Sequence, residues 1–187
     1  MAHEMLIGAG KTIDKDQFAH VFSAAAPPIG WHLWHMARFA DRLQSKLSTE
    51  LSASPEYELW YQKELSKVWK VHPAALGVYE TGMGQRHRDA QAIIQQAGQT
   101  AIIEYAETVF AACNSKVQEV SKDNLDTVYL GISDYRYDTA NGSVWADPSK
   151  ESTIAQDLMF HSNHSSRHLG MMEALRGLLG SAGTMSV

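Results

Sequence analysis

Three histidines in the string FHSNHSSRHLG, His161, His164 and His168, constrain the fold more than any other feature of the chain. Spacings of three and four residues bring side chains onto one face of an α-helix. The same face continues through Met172, Leu175 and Leu179. At about 100° per residue, all six positions fall within a sector of roughly 80°. Imidazoles therefore occupy a stripe that the pattern marks as facing the core. A histidine is costly to bury unless its ring nitrogens find partners, and a metal ion is one partner that satisfies several at once. Asp157 lies one turn before His161 on this face. It either orients a ligand histidine or caps a water near the start of the helix, and the second role is slightly favoured.

The rest of the chain also reads as helix. Asp14 with Gln17 three residues on is a helix start, opening a short helix through Phe18, Val21 and Phe22 that Pro27-Pro28 stops. Pro28 then opens a second helix, IGWHLWHMARFADRLQSKL, with an apolar stripe of Leu33, Met36, Ala37, Ala40, Leu43 and Leu47. Ser54-Pro55-Glu56 predicts a third helix running through Trp60, Leu65, Val68 and Trp69. Gly77 to Gly84 is a loop. A short helix over Asp89–Ile94 precedes a long one through Ile102, Ala106, Val109, Cys113 and Val120. Asn141-Gly142, flanked by Tyr135-Arg136-Tyr137 and Val144-Trp145, predicts a small hairpin or an ordered loop. Thr153 with Gln156 caps the last helix, and Gly180 ends it. The expected fold is all-α. It is an up-down four-helix bundle with short extra helices and a long loop or small hairpin before the last helix. Residues 1–187 make one domain, with 181–187 a disordered tail.

Composition narrows the function. The 187 residues are 44% hydrophobic and 20% charged, an ordinary globular balance. A net charge of −5 with scattered Lys and Arg argues against nucleic-acid binding. Cys113 is the single cysteine, which excludes an intrachain disulfide and a CxxC metal site. Neither a signal peptide nor a membrane-spanning stretch is legible, so a cytoplasmic location is expected.

A histidine pair at i and i+4, such as His164 and His168, can chelate one ion, but two ligands make a weak site. The second helix offers His32 and His35 as the third, and periodicity slightly favours His32. His161 is better suited to the pocket than to a fourth ligand position. His3, His20, His72 and His87 show no pattern. Trp34 either lines a pocket or packs. Arg38, Asp41 and Arg42 read as local charge pairs on a solvated face, and Cys113 as an inert core residue. No Ser-His-Asp arrangement, phosphate-binding glycine loop or HExxH zincin pattern is legible.

WHLWHMARFADR, followed much later by HSSRHLGMMEALRGLLG, resembles the DinB-like family of metal-binding four-helix bundles. Members show a His followed by a small apolar pair on the second helix, matched by His35-Met36-Ala37. They show HxxxH and then Leu-Gly or a similar pair on the last helix, matched by His164, His168 and Leu169-Gly170. ETGMGQRHRDAQAI is similar to a loop-to-helix segment of some relatives. The segment from Asp134 to Lys150 matches nothing in the family and reads as an insertion that shapes the pocket.

The resemblance implies His35, His164 and His168 as ligands of a divalent metal, with His161, His32 and Asp157 around them. Zinc or nickel suits three imidazoles. Three protein ligands leave a position open for water or substrate. The implied function is a metal-dependent hydrolase or thiol S-transferase acting on a small molecule. The alternative is a non-catalytic protein whose ion is structural or sensory, with a closed site, a side chain such as His161 in the fourth position and no adjoining cavity. A thiol cofactor is compatible with the resemblance. However, ergothioneine-type enzymes carry an acid two residues after the last histidine, where this chain has Gly170. Homodimerisation through helix faces is expected of such bundles.

Overall fold

The computed structural model describes residues 2–182, so residues 183–187 of the expected tail lie outside the described residues. The described residues are mostly helical, at 60%. Its helices are α1 (Ala2–Lys11), α2 (Lys15–Phe18), α3 (Ile29–Leu51), α4 (Leu59–Gln62), α5 (Leu65–Val68), α6 (His87–Glu119) and α7 (Ile154–Leu178). Four short strands, β1 (Val128–Tyr129), β2 (Tyr135–Tyr137), β3 (Val144–Ala146) and β4 (Ser152–Thr153), lie between α6 and α7. No helix among the described residues is long and apolar enough to cross a membrane.

α3 is the centre of the molecule, packed along α6 and against α7 and α1. Its expected stripe, Leu33 through Leu47, is 0% exposed at all six positions. Burial extends round the rest of the helix, because the turn over residues 77–84 and the segment from Glu58 to Trp60 cover the face that periodicity marks as solvated. Arg38, Asp41 and Arg42 are therefore buried rather than exposed. Arg38 donates to Glu80 O (2.9 Å), Glu58 Oε2 (2.8 Å) and Tyr105 Oη (3.1 Å). Arg42 donates to Asp134 (2.8 Å) and lies 3.9 Å over the Tyr79 ring, tying the hairpin region to α3. Burial works against the Arg38 charge, but Tyr105, Glu58 and Asp41 outweigh it and hold the guanidinium protonated above its ordinary range.

Two expected helices differ. The N-terminal segment, left without an element by sequence, is α1. His3, Leu6, Ala9 and Gly10 are its buried residues, and the helix lies against α7, α6 and α3. The helix expected from Ser54 to Trp69 is instead two single turns. Glu64 (φ 47°) breaks α4 from α5, and Lys70 adopts φ 56° just after α5. The start of α4 is capped not by a neighbour in sequence but by Asp41, which accepts from Leu59 N (2.9 Å) and Trp60 N (2.8 Å). The helix opened by Asp14 is also shorter than expected, ending at Phe18.

Other local signals are realised. Asp14–Gln17 and Thr153–Gln156 both form capping boxes. Gly98 (φ 78°) breaks α6 where the sequence reads two helices. Gly180 (φ 76°) closes α7, with Gly180 N bonded to Gly177 O and Ser181 N to Arg176 O. β2 and β3 pair antiparallel, with Tyr135 opposite Ala146 and Tyr137 opposite Val144. β1 pairs with β4, which no local signal announces.

Asp157 anchors the loop before the hairpin. Fully buried, it accepts from Tyr129 Oη (2.9 Å), Ile132 N (2.7 Å) and Ser133 Oγ (2.6 Å). A Cβ at Gly131 would sit 1.7 Å from Asp157 Oδ2. Gly131→Ala should therefore lose about 1–3 kcal/mol of stability as the loop is pushed off the carboxylate. A urea midpoint matching wild type would contradict this.

Candidate metal centre

α3 and α7 bring His35, His164 and His168 together. One ligand atom from each lies within 4.8 Å of the others. His35 Nε2 is 3.3 Å from His164 Nε2, which is 3.0 Å from His168 Nε2. Two nitrogens bound to one zinc at a tetrahedral angle lie about 3.3 Å apart, given bonds of 2.0–2.1 Å. The spacing of the Nε2 atoms thus fits a shared ion, and the all-imidazole donor set suits a borderline transition metal.

The surroundings aim these nitrogens inward. His35 Nδ1 faces the carbonyl oxygen of Thr81, an atom that only accepts, so the proton sits on Nδ1 and Nε2 keeps its lone pair. The backbone of the 77–84 turn comes this close because Gly82 (φ 92°) has no side chain. A Cβ there would meet Trp31 at 2.8 Å and His35 Nδ1 at 3.0 Å. His168 Nδ1 lies 2.8 Å from His32 Nδ1. A proton on His168 Nδ1 leaves its Nε2 bare as well. His164 Nδ1 has no hydrogen-bond partner, and its ring is fixed by Phe39 and Phe160 at centroid distances of 4.6 and 5.2 Å.

The four imidazoles around the centre are held unprotonated, with ring lone pairs available to coordinate. Burial lowers the His164 pKa to about 4, helped by the positive charge of Arg167. Burial also takes His32 to about 4 and, with neighbouring imidazoles adding to it, places His35 and His168 well below their ordinary value. All are neutral near pH 7, the form in which imidazole binds metal.

A cleft of about 520 Å³ opens on the three histidines. Trp31 forms one wall, stacked on His35 at 4.6 Å and 11°, and donates Nε1 to Gln85 Oε1 at 2.7 Å. Phe39 and Phe160 line it from the helices, and Tyr135, Tyr137 and Val144 of the hairpin complete its lining. Arg167 stands at its mouth, exposed and without an ion-pair partner among the described residues.

The other residues named from sequence separate. His32 touches the centre through His168. His161 turns away and meets His3, with their Nε2 atoms 2.8 Å apart, so His3 is not the ordinary residue that its isolation in sequence suggested. Asp157 holds the loop over residues 129–133 and no histidine. Trp31, not Trp34, lines the cleft, since Trp34 is 0% exposed in the core. Sequence reasoning missed Arg167 and Thr81. Arg167 sits immediately before His168, a detectable signal, whereas a backbone carbonyl leaves none. The sequence matches no protein-family model and no curated protein.

Proposed function

We propose that this chain is a metal-dependent enzyme of hydrolase or thiol S-transferase type that acts on a small molecule at His35, His164 and His168. The site belongs to a four-helix bundle of α1, α3, α6 and α7, which pack on one another. The observation that carries this reading is the convergence of three Nε2 atoms on the floor of a cleft. A zinc- or nickel-class ion held by three protein ligands supplies Lewis acidity at an open coordination position. The cleft beside the histidines favours this over a closed structural site, as does the engagement of His161 with His3 rather than with the cluster.

The groups that line the cleft support a substrate with an apolar body and an acidic end. Trp31, Phe39, Phe160 and Tyr135 offer aromatic walls for an apolar or planar body. The free guanidinium of Arg167 selects a carboxylate or phosphate at the mouth. A transferred thiol must come from another molecule, because Cys113 is 0% exposed in the core and lies against His3 and His161.

Zinc analysis of the purified protein tests the site. The His164→Ala, His168→Ala double variant should carry one zinc equivalent per chain fewer than wild type, with helical content preserved. Equal zinc content in the two folded proteins would refute the assignment. Arg167→Ala should keep the zinc and weaken binding of small aromatic carboxylates roughly tenfold, about 1.4 kcal/mol. Unchanged affinity would remove Arg167 from the substrate site.

A further inference from the structure

A second cluster lies where α1 meets α6 and α7. His3 Nε2 is 2.8 Å from His161 Nε2, and Cys113 completes a group whose ligand atoms lie within 4.8 Å of one another. All three residues are buried, His3 at 8%, His161 at 6% and Cys113 at 0% exposure. They come from three helices, so tertiary packing assembles the group. His3 is held on both sides. Its ring stacks on Phe110 at 4.1 Å and 3°, and its Nδ1 faces Asn114 Oδ1 at 2.9 Å. The amide oxygen accepts, which places the proton on Nδ1 and turns a bare Nε2 toward His161 and the cluster.

Two buried polar atoms here have no partner, His161 Nδ1 and Ser165 Oγ. Both residues line a cavity of about 220 Å³ that His3 and Cys113 also line. A buried polar atom left unpaired costs about 1–3 kcal/mol, and the unpaired Ser165 hydroxyl, on a cavity it shares with the thiol and both imidazoles, points to a ligand there. We infer that His3, Cys113 and His161 form a second metal site, one thiolate and two imidazoles around a zinc-class ion, with the Ser165 hydroxyl beside the fourth position. Sulfur and imidazole together favour zinc over magnesium or calcium. Binding replaces the thiol S–H bond by a metal–sulfur bond and releases the proton to solvent. The ion would fasten α1 to α6 and α7, making the N-terminal helix part of the core.

Cobalt reports on this site separately from the three-histidine centre, which has no sulfur. Cobalt(II) added to metal-free wild-type protein should give a thiolate-to-cobalt charge-transfer band in the near ultraviolet, and zinc should bleach it. Cys113 is the single cysteine, so Cys113→Ala should abolish the band and remove one zinc equivalent per chain. The His164→Ala, His168→Ala variant should keep the band. Absence of the band in folded wild type would overturn the inference, as would zinc content unchanged by both Cys113→Ala and His3→Gln. Either result would leave the three-histidine centre untouched.

Discussion

Metal-free protein should lose stability steeply as the pH falls from about 6.5 toward 4. Folding holds His32 and His164 at about 4 and His161 at about 3, against an ordinary value of 6.5. Burial is the main cause in each, with Arg167 adding to it at His164 and His3 at His161. Between those values the unfolded chain binds protons that the folded chain refuses. Acid therefore favours unfolding throughout the window, and stability is recovered as the pH rises through 6.5. One unit is worth about 1.4 kcal/mol, so each such histidine forfeits on the order of 3 kcal/mol by the bottom of the window. Several together rival the roughly 5–15 kcal/mol that holds a domain folded. Zinc should move the transition to lower pH, because protons must then displace an ion from the rings. Urea midpoints measured across this range with and without zinc check both statements. A midpoint flat from neutrality to pH 4 without metal would contradict the burial of neutral histidines.

Asp41→Ala should cost about 3–5 kcal/mol, the usual penalty for stranding one partner of a buried ion pair. The carboxylate accepts from Tyr105 Oη (2.8 Å), Gln44 Nε2 (3.2 Å) and Arg38 Nη1 (3.2 Å) as well as from the two amides that start α4. Its loss leaves the Arg38 guanidinium, at 0% exposure, short of negative charge. The effect should reach the metal centre. Arg38 also donates to the carbonyls of Glu80 and Tyr79, holding the turn whose Thr81 oxygen sets the His35 proton. Zinc affinity should fall along with stability. Asp41→Asn keeps the shape and should cost less than the alanine variant. Equilibrium unfolding decides the matter, and a loss under about 1 kcal/mol for Asp41→Ala would show that the network is not structural.

Local chemistry was legible in the sequence where neighbours in the chain determine it. The capping boxes, the break at Gly98, the Asn141-Gly142 turn and the core stripe of α3 all depend on residues a few positions apart. Tertiary choices were not legible. α1 contains Gly8 and Gly10, which weaken its helix signal, and its stability comes from packing on three other helices. The interruption at Glu64 needs a left-handed backbone in a residue with no preference for it. The burial of Arg38 and Asp41 depends on a turn and a helix start that reach them from 18 to 42 residues away. The shared face of His164 and His168 could be read from their spacing, but their meeting with His35 could not. Periodicity leaned to His32, and the difference lies in where the 77–84 turn delivers its carbonyl. His3 meets His161 only through the packing of α1 against α7, which no local pattern announces.

Anomalous diffraction from a crystal of the zinc-loaded protein tests the metal centre most directly. A peak 2.0–2.1 Å from the Nε2 atoms of His35, His164 and His168 together is the expected result, at the usual length of about 2.0–2.1 Å for a zinc–imidazole bond. A zinc-loaded structure with the His35 ring turned away from His164 and His168, and with no peak among the three, would contradict it.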